Sequence, residues 1–304
     1  MTSKMPSSTV RLRFWGVRGS TPTPQVENLT FGGNTSCFEI RTADNQSIIF
    51  DAGSGIRELG QRLIREAQGE PINVSLFLTH FHWDHIQGMP FFAPIYSPKN
   101  IVHFYTGITG RPLQETLEGQ MAKPYFPVDF DQVSAKRDFN TIEPGECVVA
   151  NGVKVIPFPL NHPQNAAGYR IETGDRVIVY ATDYEHGHPT LDRTLRDYAQ
   201  GADVLICDAQ YTPEEYETHK GWGHSTWLNA VHVARDAGAR QLFLFHHDPA
   251  HDDQQIMRIT EDARLQFENT MAAWEGFGAV VGNSPDLAFA GRRGPSNYLV
   301  ASRA

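Results

Sequence analysis

Short apolar runs, broken by Gly, Pro, Asn and Asp, set the rhythm of this chain and read as a succession of strands with a few helices between them. Val10 to Trp15 is a first strand, ending in Gly16-Val17-Arg18-Gly19-Ser20. Ser36 to Arg41 and Gln46 to Asp51 are two more, with Ala43-Asp44-Asn45 as the hairpin turn between them. Gly53-Ser54-Gly55 interrupts the pattern, and Ile56, Leu59, Leu63 and Ile64 then recur at helical spacing. The run Val74 to Leu78 reads as a buried strand. Pro and Gly are frequent from Gly88 to Pro127, which predicts loop with one helix around Leu113 to Met121.

The second half repeats the rhythm. Glu146 to Ala150, Val153 to Phe158, Gly168 to Thr173 and Arg176 to Ala181 read as strands, with Asn151-Gly152 and Gly174-Asp175 as hairpin turns. A helix around Thr190 to Tyr198 leads to the strand Val204 to Cys207. Ser225 is placed to cap a helix running to Asp236, with Gly238 as its stop. The strand Gln241 to Phe245 follows, then an amphipathic helix from Asp252 to Asn269. Meander strands with covering helices in each half imply an α/β chain of two packed sheets with helices outside. No linker, repeat or low-complexity tract divides it, so a flexible tail over 1–9 and a single domain over 10–304 are expected.

Composition narrows the function classes. The chain has 304 residues, 40% of them hydrophobic and 20% charged, an ordinary globular balance. Its formal net charge is -9, which argues against a broad footprint for long nucleic acid. Cys37, Cys147 and Cys207 are far apart and form no CxxC pair, as expected of reduced thiols. The first nine residues lack an apolar signal core, and no apolar run approaches a membrane span, so a cytoplasmic location is the expectation.

The chemistry is concentrated in Leu78-Thr79-His80-Phe81-His82-Trp83-Asp84-His85. Strand alternation makes His80 and His82 point the same way just past the end of the Val74–Leu78 run, while Asp84 and His85 open the next segment and face a second point. Further ligand types stand at the ends of other strands: His162 after Phe158-Pro159-Leu160, Asp183 after Arg176 to Thr182, and His246 after Gln241 to Phe245. His247 competes with His246 for the last position; His246 is preferred because it follows the strand end directly. Together these residues make a set with three imidazoles on one metal, two imidazoles and Asp84 on the other, and Asp183 between them. Two divalent ions are expected, Zn first, with Fe or Mn as alternatives.

The motif His80-x-His82-x-Asp84-His85, followed in order by His162, Asp183 and His246, resembles that of the metallo-β-lactamase superfamily, which implies an αββα sandwich. Asp51-Ala52-Gly53, Pro124-Tyr125-Phe126-Pro127-Val128, Gly168-Tyr169-Arg170 and Gly223-His224-Ser225-Thr226 are similar to the ribonuclease Z branch, which hydrolyses phosphodiesters. The resemblance runs from about Val10 to about Pro249. Phe14-Trp15-Gly16-Val17-Arg18-Gly19-Ser20 departs from the Gly-Thr-Gly-Ser opening of that branch. His247-Asp248-Pro249 departs from its ending, and the Gly- and basic-rich arm that grips transfer RNA is missing.

The resemblance implies a hydrolase in which two metals lower the pKa of a bridging water. Asp84 would be both a ligand and the group that orients or accepts the proton of the nucleophile, and His224 the acid that protonates the leaving oxygen. Without an arm, a small or cyclic nucleotide is the expected substrate, with no membrane partner and a homodimer left open. The competing readings are ester, thioester or lactam hydrolysis, transfer-RNA 3′ processing, and a non-catalytic metal-binding module. Asn34-Thr35-Ser36 is a candidate lining of the cleft, Arg18 a candidate phosphate fork if it is not simply an exposed loop residue, and Trp83 either packs on the sheet edge or stacks on a base. His103, His186, His188, His219 and His232 carry no ligand spacing. His251, with Asp252 and Asp253, reads as a solvated helix start.

Overall fold

The computed structural model describes residues 9–281 and 288–291. The tail expected over 1–9 therefore lies, but for Thr9, outside the described residues. The first half carries β1 (Val10–Gly16), β2 (Cys37–Arg41), β3 (Ser47–Phe50), α1 (Ile56–Ala67), β4 (Asn73–Leu78), the short α2 (Trp83–Ile86), β5 (Ile101–Thr106), α3 (Leu113–Gln120) and β6 (Lys136–Thr141). The second half carries β7 (Val148–Ala150), β8 (Val153–Leu160), β9 (Ala166–Thr173), β10 (Arg176–Ala181), α4 (Pro189–Ala199), β11 (Val204–Asp208), α5 (Pro213–Tyr216), α6 (Trp227–Asp236), β12 (Gln241–Phe245), α7 (Asp253–Gln266), β13 (Thr270–Ala272), β14 (Phe277–Val281) and β15 (Ala288–Gly291).

Two mixed sheets result. The first runs β15-β14-β1-β2-β3-β4-β5-β6 and the second β13-β12-β11-β10-β9-β8-β7. In each, a meander gives way to parallel pairing, from β3 to β6 in one and from β10 to β13 in the other. The sheets face each other through an aromatic layer: Phe38 meets Tyr180 at 5.6 Å, Phe50 meets Tyr169 at 5.5 Å, and Phe14 meets Phe245 at 5.9 Å between ring centroids. Two outer apolar clusters seat α1 and α3 on the first sheet and α4, α6 and α7 on the second. The αββα sandwich expected from the sequence is the fold observed. Among the described residues, no helix is long and apolar enough to cross a membrane.

The differences from expectation have physical causes. The stretch from Gly88 to Pro127 contains β5 as well as α3, and β6 follows it. Lys136-Arg137-Asp138-Phe139-Asn140-Thr141 is a polar edge strand with no apolar period of its own, recruited by parallel pairing with β5. Thr226, not Ser225, caps α6: its side chain accepts the N–H of Asn229, while Ser225 is turned inward. The last helix stops at Gln266, and β13 to β15 close the sheet edges after it. Cys37 and Cys207 are buried and Cys147 is exposed; none is paired.

Candidate active site and metal centre

The loops that leave the carboxyl ends of β3, β4, β8, β10, β11 and β12 converge at one edge of the sandwich and bring the ligand-type residues together. Parallel strands expose their carboxyl ends to loops that are free to carry function while the sheet stays rigid. Asp51, Asp183 and His246 each follow a strand end with a left-handed backbone, at φ of 61°, 53° and 63°. Such a residue costs roughly 1–3 kcal/mol, a strain that persists where the surrounding structure over-determines it.

His80, His82 and His162 form one group of donors and Asp84, His85, Asp183 and His246 another. In the second group, His85 Nε2 lies 3.3 Å from His246 Nε2, 3.3 Å from Asp84 Oδ2 and 3.1 Å from Asp183 Oδ1. His246 Nε2 lies 3.1 Å from Asp84 Oδ2 and 3.3 Å from Asp183 Oδ1. These separations match the edge of a tetrahedron about a zinc ion, roughly 3.3 Å for ligand distances near 2.0 Å. In the first group, His82 Nδ1 lies 3.1 Å from His162 Nε2. Asp183 faces both groups, its Oδ2 standing 3.5 Å from His80 Nε2 and 3.9 Å from His162 Nε2.

Acceptors behind the ring set the tautomers of four imidazoles. His85 Nδ1 lies 2.9 Å from Asp51 Oδ2, His162 Nδ1 lies 2.8 Å from the Gly223 carbonyl, and His246 Nδ1 lies 2.8 Å from Gln210 Oε1. Each acceptor takes the ring hydrogen at Nδ1 and leaves Nε2 with its lone pair toward the cluster, as in ligating histidines generally. His80 Nδ1 is held at 3.1 Å by the Thr79 hydroxyl. Its Nε2 is buried and has no hydrogen-bond partner, an arrangement that costs free energy unless a cation takes the lone pair.

The electrostatics point the same way. Burial would raise the Asp84 carboxyl, but His85 and His246 outweigh it and hold the group well below the usual range. Burial likewise opposes Asp183, which His246, His85 and His80 keep ionised. Burial and its imidazole neighbours hold His80 well below the ordinary value, and His162 falls to about 4 mainly through burial. His85 is pushed well up despite burial, because Asp183, Asp84 and Asp51 surround it and call for positive charge. Ionised carboxylates, imidazoles held neutral at His80 and His162, and a field around His85 that calls for positive charge together suit divalent cations, so these residues fit two such ions.

An open cleft of about 530 Å³ lies over the cluster, lined by Ser20, Phe81, His82, Trp83, Asp84, Gln164, Asp183 and His224. His224 stacks on His246 at 4.8 Å, and its Nδ1 lies 2.9 Å from Asp208 Oδ2. Gly223 has φ of +93° and passes so close that a Cβ there would stand 2.2 Å from His162 Nδ1, so only glycine fits. Glu185 holds this loop by accepting the N–H groups of Gly221 and Gly223 and the Tyr216 hydroxyl.

Several side chains stand where the sequence did not place them. Arg18 is fully buried, neither an exposed loop residue nor a phosphate fork: its guanidinium donates to the carbonyls of Gly32, Asp248 and His251. Asn34 donates to Glu275 and accepts from Ser54, and Thr35 and Ser36 are buried beneath the loops rather than lining the cleft. His247 points away from the cluster, its Nε2 lying 3.0 Å from the Ala273 carbonyl, whereas His246 points in. His251 is buried against Glu215 rather than solvated. Asp208, Asp51 and Gln210 were missed as functional groups. Asp208 ends a strand on a polar residue, the signal that marked Asp183 and His246, but the strand was read as stopping at Cys207.

The beta-lactamase superfamily domain model matches residues 46–247, more than half of the chain. The chain thus belongs to the metallo-β-lactamase superfamily and is a hydrolase of that class, whose fold implies divalent metal ions. A ribonuclease Z of Streptococcus agalactiae is 28% identical over 286 residues, covering 78% of this chain and 91% of that protein. The metallo-beta-lactamase fold protein YhfI from Bacillus subtilis matches with a TM-score of 0.68 at 18% identity, over 90% of this chain and 99% of that one. A diphosphatase of the PhnP family matches with a TM-score of 0.65 at 19% identity, over 90% and 98% of the two chains.

Proposed function

We propose that the protein is a dinuclear metal phosphodiesterase acting on a small phosphodiester, a small or cyclic nucleotide in particular. The observation that carries this reading is the division of donors across Asp183, with Oδ1 toward His85 and His246 and Oδ2 toward His80 and His162. His80, His82 and His162 would hold one ion, and Asp84, His85 and His246 the other, with Asp183 shared. Zinc suits this imidazole-rich set best, with Fe or Mn as alternatives. Bound together, such ions supply Lewis acidity toward a phosphoryl oxygen and a water of lowered pKa.

The chain's own groups handle the protons. Asp84 is positioned by the Ser20 N–H at 2.8 Å and takes the proton of the attacking water. His224, on the rim of the cleft, gives a proton from Nε2 to the leaving alkoxide, while Asp208 holds the Nδ1 hydrogen and fixes the ring. The cleft also favours a small substrate. Among the described residues, the eight that line it include no Lys or Arg, and the chain's net charge is -9, whereas long nucleic acids are gripped through many cationic contacts.

The test is a substrate panel with metal content measured alongside. Bis(p-nitrophenyl) phosphate should be hydrolysed far faster than p-nitrophenyl phosphate or a cephalosporin. A lactam as best substrate would overturn the assignment even with both ions in place. Efficient cleavage of precursor transfer RNA at low protein concentration would overturn the small-substrate part, to which the likeness to proteins named ribonuclease Z is the standing counterweight.

A further inference from the structure

Apart from the donor cluster and His224, four side chains line the cleft: Ser20, Phe81, Trp83 and Gln164. None is charged, so affinity for whatever flanks the phosphoryl group must come from apolar contact and a few neutral hydrogen bonds. Phe81 is partly buried and packs against the core. Trp83 is 79% exposed.

The other tryptophans are accounted for by the fold. Trp15 donates its indole N–H to Glu39 at 3.0 Å and carries the Arg13 guanidinium over its ring. Trp274 is buried against Phe277 at 3.9 Å, and Trp227 packs on the outer cluster of the second sheet. Trp222 is exposed but stands edge-on to His219 at 4.8 Å. No hydrogen bond or ring contact to the Trp83 indole is found among the described residues.

Its backbone, by contrast, is tightly held. It lies between His82 and Asp84, the His85 N–H reaches the His82 carbonyl at 3.0 Å, and the Gln87 N–H reaches the Trp83 carbonyl at 2.6 Å. A rigid main chain thus presents a bare indole at the mouth of the cleft, where it adds little to folding. A flat ring with only two side-chain torsions, carried on a fixed backbone, loses little freedom in binding another flat ring.

We infer that Trp83 is the stacking platform for the base of a nucleotide substrate, a specificity-determining residue that selects for a planar ring next to the phosphodiester rather than for a particular base. Stacking reads the face of a base, which every base possesses, and so tolerates sequence. Only Ser20 and Gln164 remain to meet base edges, too few neutral groups to distinguish all of them. The inference rests on the phosphodiesterase reading but concerns binding, which can be measured without turnover.

The experiment compares AMP, UMP and ribose 5-phosphate binding to metal-loaded wild type, Trp83→Ala, Trp83→Phe and Trp222→Phe, by calorimetry and intrinsic fluorescence, with metal content checked in each. Wild type should bind both nucleotides more tightly than ribose 5-phosphate. Trp83→Ala should weaken both about 5- to 150-fold, the loss expected of one base–aromatic stack, and bring them close to ribose 5-phosphate. Trp83→Phe should recover much of that affinity yet lose the nucleotide-induced quenching, which Trp222→Phe should keep.

Wild type binding the nucleotides no better than ribose 5-phosphate would overturn the inference. So would equal weakening of all three ligands by Trp83→Ala, which would mark an effect through the ligand loop, or quenching that disappears with Trp222. AMP bound more than a hundredfold tighter than UMP would overturn the tolerance of base. Failure to hydrolyse any phosphodiester would sink the catalytic reading while leaving this comparison interpretable.

Discussion

Asp208 holds His224: its Oδ2 lies 2.9 Å from the imidazole Nδ1 and also accepts the Asp183 N–H, while Oδ1 accepts the backbone N–H groups of Gln210 and Ser225. The pairing is structural and electrostatic at once. It turns Nε2 away from Asp208, and it keeps a proton on a ring that burial alone would strip.

That proton sets a pH dependence. Burial lowers the His224 pKa, but Asp208, with help from Asp183 and Asp84, outweighs it and raises the value to about 9. As a group raised above its ordinary value near 6.5, His224 is protonated at neutral pH and loses its proton as pH rises through about 9. Bound cations push the same ring downward. The rate on a substrate with a poor leaving group should therefore fall on an alkaline limb at or below about pH 9. In Asp208→Asn the limb should move toward neutrality. A pH–rate profile identical in the two proteins would exclude the pair as the acid.

Removing the ring separates acid from ligand. His224→Ala should keep both ions and the fold while losing about 10²- to 10⁴-fold in rate on a ribose-type leaving group, the usual range for general acid catalysis. The loss should shrink for p-nitrophenolate, which departs without a proton. His82→Ala should instead lose metal and activity together for both leaving groups. Equal losses for both leaving groups in His224→Ala would assign it to substrate binding.

Metal content tests the shared carboxylate. The purified protein should hold close to two transition-metal ions per chain, because the donors divide across Asp183. Asp183→Ala should lose most of both. Chelation should also lower Tm, since ions that bind only the folded chain stabilise it and their removal leaves His80 Nε2 buried without a partner. Elemental analysis and titration that find no metal bound would end the dinuclear assignment.

Arg18 makes a prediction about stability rather than affinity. Its buried guanidinium ties the Gly32 carbonyl to those of Asp248 and His251 and stands 4.0 Å from Asp253. Arg18→Met strands those acceptors and should destabilise the fold by roughly 3–5 kcal/mol, measured by urea or thermal unfolding. A raised KM at unchanged stability would return Arg18 to the phosphate.

Much of this site can be read along the chain because its candidate ligands stand close to strand ends, and strands announce themselves by short apolar runs. His80 comes two residues after Leu78, Asp183 two after Ala181 and His246 directly after Phe245, so a local pattern locates chemistry that is scattered along the chain. The sequence also determined the sandwich itself, since its apolar runs demand two buried sheets. Only the tertiary structure decided which neighbour serves: His246 and His247 are adjacent on one loop, and a left-handed backbone at His246 sends one ring to the cluster and the other to the Ala273 carbonyl. It also decided the partners behind the rings. Asp51, Asp208 and Gln210 lie far along the chain from the imidazoles they hold, and no spacing rule connects residues whose proximity exists only after β3, β11 and the loop following it pack. Arg18 shows the reverse: a loop arginine reads as exposed until the Gly32 carbonyl and those of Asp248 and His251, more than two hundred residues further on, close around it. Period and composition record what a residue does within its own element; satisfaction of a buried charge or ring nitrogen depends on atoms that only folding brings within hydrogen-bond reach.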